Sequence, residues 1–161
     1  MPLPEWLSNI LIAALRPAAD AVFLPRIEPG RTTTDQVRQH LGQPGEVFSE
    51  ADDKFTWEYS RQPSGVHCYM ITFGRDQMVQ KLEQVLNEAN YARVRPGMNG
   101  DEIRRLLGMP GSKVVFDNLG EEIWEWHIES HQPGEESYFM VHFDLTRRAV
   151  SKTSRRVAMK G

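Results

Sequence analysis

The sequence predicts an α+β fold made of two tandem α-α-β-β-β units, each an antiparallel meander with helices packed on one face. Three observations carry this. Four sequence blocks recur in the same order, each copy holds a capped two-turn helix closed by Leu-Gly, and each continues into strands that alternate aromatic and polar residues. Arg26-Ile27-Glu28-Pro29-Gly30 recurs as Arg93-Val94-Arg95-Pro96-Gly97 at an offset of 67. Leu41-Gly42-Gln43-Pro44-Gly45 recurs as Leu107-Gly108-Met109-Pro110-Gly111 at an offset of 66. Trp57-Glu58-Tyr59 matches Trp124-Glu125-Trp126 at 67, and Tyr69-Met70-Ile71-Thr72-Phe73 matches Phe139-Met140-Val141-His142-Phe143 at 70. Copy one thus has an extra residue in its threonine run, and copy two has a longer hairpin. The chain divides into an apolar segment at 1–19, repeat one at 20–86, repeat two at 87–156 and a tail at 157–161.

Each element has a local cause. The Pro-Gly before each helix is a turn, so a short upstream segment folds back, Asp20–Ile27 in copy one and Asn87–Val94 in copy two. Pro25 limits the first as a helix, whereas the second reads as helical. Thr33-Thr34-Asp35-Gln36 is a capping box, and Asn99 with Glu102 forms the matching N-cap. Val37 and Leu41 share one helix face; Ile103, Leu106 and Leu107 cluster on the other helix. Gly42 and Gly108 suit left-handed C-caps, and Pro44 and Pro110 prevent continuation. Strands follow at Phe55–Tyr59, Val66–Phe73 and about Met78–Leu86, then Trp124–Ile128, Ser137–Phe143 and about Ala149–Arg155. Turn sequences separate the hairpins: Gln62-Pro63-Ser64-Gly65 and His131-Gln132-Pro133-Gly134-Glu135.

Composition narrows the function classes. The chain has 161 residues, 40% apolar and 25% charged, with net charge −3. A packed core is expected, and there is no global pull toward nucleic acid. The basic run Arg147, Arg148, Lys152, Arg155, Arg156, Lys160 reads as a solvated strand end. Cys68 is the single cysteine, so neither an internal disulfide nor a zinc quartet forms, and it reads as a half-buried packing thiol. Trp6–Leu15 is apolar but shorter than the ~20 residues that span a bilayer. It reads as a short helix on the body or as a degenerate export segment.

The pattern Pro-Gly, Val-Arg-x-x-Leu-Gly-x-Pro-Gly, Trp-Glu-Tyr, then an apolar strand ending in Phe resembles the SmpA/OmlA (BamE-like) domain family. The tandem arrangement is similar to the beta-lactamase inhibitory protein fold. The resemblance covers about residues 20 to 156. It implies a non-enzymatic accessory factor of the bacterial cell envelope, at the periplasmic or inner face of the outer membrane, whose partner belongs to the outer-membrane assembly machinery. No lipoprotein cysteine is visible in this sequence, so membrane association is expected to be peripheral or through a segment absent from it. An inhibitor-like module that blocks an enzyme is the alternative.

Catalytic signatures are missing: there is no G-x-S-x-G, no Walker loop and no dinucleotide glycine fingerprint. Neither enzymatic activity nor a cofactor is expected. His67 and Cys68 are strand neighbours and point to opposite faces. Asp52 and Asp53 read as solvated loop charges. A metal- or small-molecule-binding protein centred on Glu125, His127 and His142, with His142 approaching His127 across the hairpin, is a third reading.

The sheet faces are more informative. Alternation assigns Trp57, Tyr59, Tyr69, Ile71 and Phe73, with Trp124, Trp126, Ile128, Phe139, Val141 and Phe143, to the helix-covered face. The opposite face then carries Thr56, Glu58, Met70 and Thr72 in copy one, and Ile123, Glu125, His127, Tyr138, Met140 and His142 in copy two. A free sheet face should be mostly polar, and this mixture suits an interface. Glu58, Met70, Ile123, Glu125, His127, Tyr138, Met140 and His142 are therefore the expected protein-binding residues. Cover by the Trp6–Leu15 segment is the competing expectation.

Overall fold

Helix 16–23 (α1) leads into a 3-10 turn at Leu24–Arg26, because Pro25 cannot continue an α-helix. In this computed structural model residues 2, 4 and 16–161 are described; most of the 1–19 segment, including Trp6–Leu15 and its expected cover of a sheet face, lies outside the described residues. Helix α2 spans Thr34–Leu41. Its capping box is complete: the Gln36 amide donates to Thr33 Oγ1 at 3.3 Å, and the Thr33 amide donates to Gln36 Oε1 at 2.9 Å. Four strands follow: β1 (Glu46–Ser49), β2 (Phe55–Ser60), β3 (Cys68–Phe73) and β4 (Val79–Gln84).

The second copy repeats this plan. Asn87 caps a single turn, α3 (Glu88–Tyr91). Asn99 Oδ1 accepts the Glu102 amide at 2.8 Å and starts α4 (Gly100–Leu107). Strands β5 (Ser112–Phe116), β6 (Glu121–Ile128), β7 (Glu135–Asp144) and β8 (Ala149–Met159) complete it. Gly42 and Gly108 close α2 and α4 at φ 79°, ψ −166° and φ 78°, ψ −168°, a positive-φ region open to glycine but extended in ψ rather than the left-handed cap expected.

The fold is α+β with two antiparallel sheets, ordered β1-β2-β3-β4 and β5-β6-β7-β8. Each sheet has one strand more than the three-stranded meander expected. The added strands, β1 and β5, follow directly on the Gly-x-Pro-Gly helix stops. Every residue of β5 is exposed, so it lacks the buried/exposed alternation by which a half-buried strand is recognised. Strand β8 also runs on to Met159, which pairs with Glu135 in the stretch expected to be a tail.

By internal packing the chain forms two units, Met1–Trp57 with Ile71–Leu82, and Glu58–Met70 with Glu83–Gly161. The division runs through β2, β3 and β4. In the first unit, Val37 of α2 is fully buried, and Trp57 meets Phe73 edge-on at 4.7 Å with Arg38 lying 4.9 Å above Trp57. In the second, Ile103 and Leu107 of α4 are fully buried with Trp126 and Val141. Each such side chain contributes about 1.5–3 kcal/mol by leaving water. Tyr91 of α3 stacks on Phe139 at 4.4 Å. All the residues assigned to the helix-covered face are buried except Tyr69, which is half-buried with its hydroxyl 3.2 Å from His67 Nδ1.

Candidate functional site

All eight expected binding residues belong to the second unit, and the structure separates them into two groups. Glu58 and Met70 are 1% and 2% exposed. They offer no surface to a partner, contrary to the sequence expectation. For Glu58 the cause is the end of α4. Glu58 Oε1 accepts the Met109 amide at 2.7 Å, and Oε2 accepts Arg104 Nη2 at 3.3 Å. Gly108 comes so close that a Cβ there would overlap Cys68 Sγ and lie 3.3 Å from Glu58 Oε1. Cys68 is fully buried rather than half-buried, and burial, reinforced by the Glu58 charge, pushes its thiol pKa up. The thiol therefore stays protonated and unreactive at neutral pH.

The second group lies on the outer face of β6 and β7. Pairing sets Ile123 opposite His142, Glu125 opposite Met140, and His127 opposite Tyr138, so the six form one continuous patch. Ile123, Glu125, His127, Tyr138 and Met140 are all half-buried, neither packed away nor fully solvated. Val114 and Phe116 extend the patch onto β5, opposite Ile123 and Glu121, and are 46% and 38% exposed.

The polar end of this patch is held rigidly. Glu125 receives both Nε and Nη2 of Arg156 at 2.8 Å, a bidentate fork. The Arg156 guanidinium lies 3.8 Å from the Tyr138 ring centroid, and Tyr138 stacks on His127 at 5.0 Å and 21°. The Tyr138 hydroxyl donates to Glu136 at 2.9 Å, and that bond to a carboxylate holds the phenol pKa above its usual value. The Gln62 side chain mimics a neighbouring strand: its Oε1 accepts the His127 amide at 2.8 Å and its Nε2 donates to the His127 carbonyl at 2.6 Å. Preorganised aromatic and arginine side chains of this kind suit recognition, because little rotamer freedom remains to be lost on docking.

His142 belongs to the patch by register but is 6% exposed, with Nε2 2.7 Å from Ser154 Oγ. Its Nδ1 lies 3.5 Å from Glu121 Oε2, too long for a good hydrogen bond. The register puts His127 four residues along β6 from Ile123, the partner of His142, so the two backbone positions stand about 13 Å apart at ~3.3 Å per residue. His142 does not approach His127, and among the described residues no group of three or more ligands is placed to hold a metal ion.

Sequence reasoning missed Arg156, Gln62 and Glu136. Arg155 and Arg156 read as part of a solvated basic run, yet each is claimed by a carboxylate on a different face. Arg155 pairs with Glu88 beneath the sheet and lies 5.2 Å from the Tyr91 ring, while Arg156 takes Glu125. The usable signal was period-two alternation along β8, which sets Arg156 beside Tyr138. Among the described residues no helix is long and apolar enough to cross a membrane.

No family model matches the chain, and no curated protein matches it. Two solved structures are weakly similar. One is a candidate beta-lactamase inhibitor protein from Streptococcus mutans, with 10% identity and a TM-score of 0.35 over 86% of this chain and 96% of that one. The other is the DUF4309 family protein YjgB from Bacillus subtilis, with 11% identity and a TM-score of 0.30 over 83% and 82%. Likenesses this distant carry no functional argument.

Proposed function

We propose that this chain is a non-catalytic protein-binding module that docks its partner on the outer face of the second sheet. One observation carries the reading: the outer face of β6 and β7 keeps Ile123, Tyr138 and Met140 half-open beside exposed Val114 and Phe116. An outward sheet face without a binding role is ordinarily polar. The partner class implied by the SmpA/OmlA motifs is a cell-envelope protein of the outer-membrane assembly machinery. The inhibitor-like alternative uses the same face and differs in its partner, an enzyme whose turnover falls on docking.

The test is a paired capture from envelope extract, with the wild-type chain and the Tyr138→Glu/Met140→Glu double variant. Two carboxylates at the centre of a docking patch should abolish capture of the wild-type partner while the melting temperature stays within a few degrees, as expected of substitutions outside the core. Unchanged capture would refute the face assignment. Loss of the folded state would show that Tyr138 and Met140 are core residues. An assay of any captured enzyme separates inhibitor from assembly factor.

A further inference from the structure

The groove beside the capped helix is built differently in the two copies. In copy one it is filled. Arg38 of α2 lies 4.9 Å above the Trp57 ring and pairs with Asp35 at 3.3 Å. Phe55 stacks on Phe73 at 5.2 Å. Thr34, 5% exposed, donates to Gln77 Oε1 at 3.4 Å, and Gln77 stands at φ 63° in the turn before β4. Copy two changes each of these. Arg104, at the place of Arg38, is drawn to Glu58. Glu122 replaces Phe55 and accepts the Trp124 indole N–H at 2.8 Å. Gly100 replaces Thr34. Arg148, two residues before Val150 as Gln77 is before Val79, stands at φ 51°. The result is a cleft of about 560 Å³ beside Trp124 and Phe143, lined wholly by the second unit and within the size range of small-molecule sites.

Charge of both signs lines this cleft: Asp101, Glu122 and Asp144 with Lys113 and Arg148. At the places of Lys113, Glu122 and Arg148 copy one has the uncharged Val47, Phe55 and Gln77. No two of these five charges pair with each other. Lys113 lies over the Trp124 ring at 4.1 Å, and Asp144 accepts the Thr146 and Arg147 amides. Among the described residues the side chains of Asp101 and Arg148 make no hydrogen bond or ion pair. Arg148 is also strained, since its φ favours glycine, and strain of this kind collects at ligand sites. In copy one the side chain at this strained position has a partner in Thr34. Opposite charges held apart beside aromatic rings are complementary to a ligand that carries both signs. We propose that the cleft binds a small zwitterion, an amino acid or short peptide. Its ammonium meets Asp101 and Glu122, its carboxylate meets Lys113 and Arg148, and its apolar body lies beside Trp124 and Phe143. The cleft is on the helix-covered side of the sheet, not on the docking face, so it does not depend on the proposed function.

Calorimetric titration of the full chain tests it, with phenylalanine and the tripeptide Ala-Phe-Ala as probes, each beside its N-acetylated and C-amidated forms. At least one free zwitterion should bind with a Kd of about 1 mM or tighter. Blocking either end should weaken it about tenfold, the loss of one charge-assisted contact. Tighter binding of the tripeptide assigns the cleft to peptides, and tighter binding of phenylalanine to free amino acids. Arg148→Gly should weaken the zwitterion about tenfold yet bind the amidated form as the wild type does, and it should stay folded because glycine suits that backbone. That selective loss is what a merely structural role cannot give. Glu122→Phe, the residue of copy one, should fill the cleft and abolish binding. Absence of saturable binding by either zwitterion, blocked forms that bind as well as free ones, or an Arg148→Gly variant that weakens the zwitterion and its amide alike would overturn the proposal. The Tyr138→Glu/Met140→Glu variant should bind the zwitterion like the wild type, which distinguishes failure here from failure of the docking face.

Discussion

Glu58 and Glu125 occupy the same place in the two copies, at the centre of Trp-Glu-aromatic, yet their surroundings are opposite. Glu58 is sealed beneath the end of α4, bonded to Arg104 and to a backbone amide. Glu125 stands half-open in the fork of Arg156. The flanking positions diverge in step. Thr56, Cys68 and Thr72 correspond to the larger Ile123, Tyr138 and His142, while Met70 and Met140 are the same residue. Copy one carries the smaller Cys68 where Gly108 at the end of α4 comes close, while copy two carries Tyr138 at the matching position, half-open beside Arg156. Duplication supplied two equivalent faces; side-chain size and one glycine made one an internal joint and left the other outward.

The largest effect is expected at the joint. Glu58→Ala should lower stability by about 3–5 kcal/mol, because it leaves buried polar groups without their acceptor. Urea titration measures this, and a loss below about 1 kcal/mol, the range of exposed pairs, would mean that the carboxylate is solvated. Next come the equivalent glycines. Gly108→Ala should cost about 1–3 kcal/mol more than Gly42→Ala: each loses about 1–3 kcal/mol to a positive-φ region nearly reserved for glycine, and only Gly108 adds overpacking against Cys68, since no atom lies within 4 Å of the missing Cβ at Gly42. Equal losses would remove the close approach from the explanation.

The third effect is a pH dependence. The folded Cys68 pKa is raised above the unfolded value, so its contribution is fully present below the unfolded pKa of about 8.5 and is lost as pH rises further. Above that pH the wild type should lose stability more steeply than Cys68→Ala, by at most about 1.4 kcal/mol per pH unit. Parallel slopes would place the thiol in water. The smallest effect is expected at Glu125→Ala, roughly 0–1 kcal/mol for a partly exposed ion pair, seen as a small shift in the same titration.

Much of the local architecture could be read from the residues, because its causes are local. Thr33 with Gln36, Asn99 with Glu102, Gly42 and Gly108 each act within one turn of chain, and the structure holds them as capping boxes, caps and helix stops. The aromatic alternation of β2, β6 and β7 marked the covered face. Strand β5 escaped because an edge strand exposed on both faces has no buried rhythm to read, and β1 because its four residues are too short to show one. Glu58 escaped for another reason. The burial of Glu58 depends on a helix end some fifty residues away, which no spacing within β2 encodes. The available hint was comparative: the smaller residues of copy one against the larger ones of copy two. Arg156 was hidden by its neighbours, since a basic run looks uniform until strand alternation sends Arg155 and Arg156 to opposite faces.

Met70 and Met140 are the matched probes of this asymmetry, and both are present in the unaltered chain. Mild peroxide treatment of the native protein, followed by mass spectrometry of each methionine, measures their accessibility directly. Met140 should convert to the sulfoxide while Met70 stays intact until the protein unfolds. Oxidation of both at the same rate under native conditions would contradict the division into a buried joint and an open face.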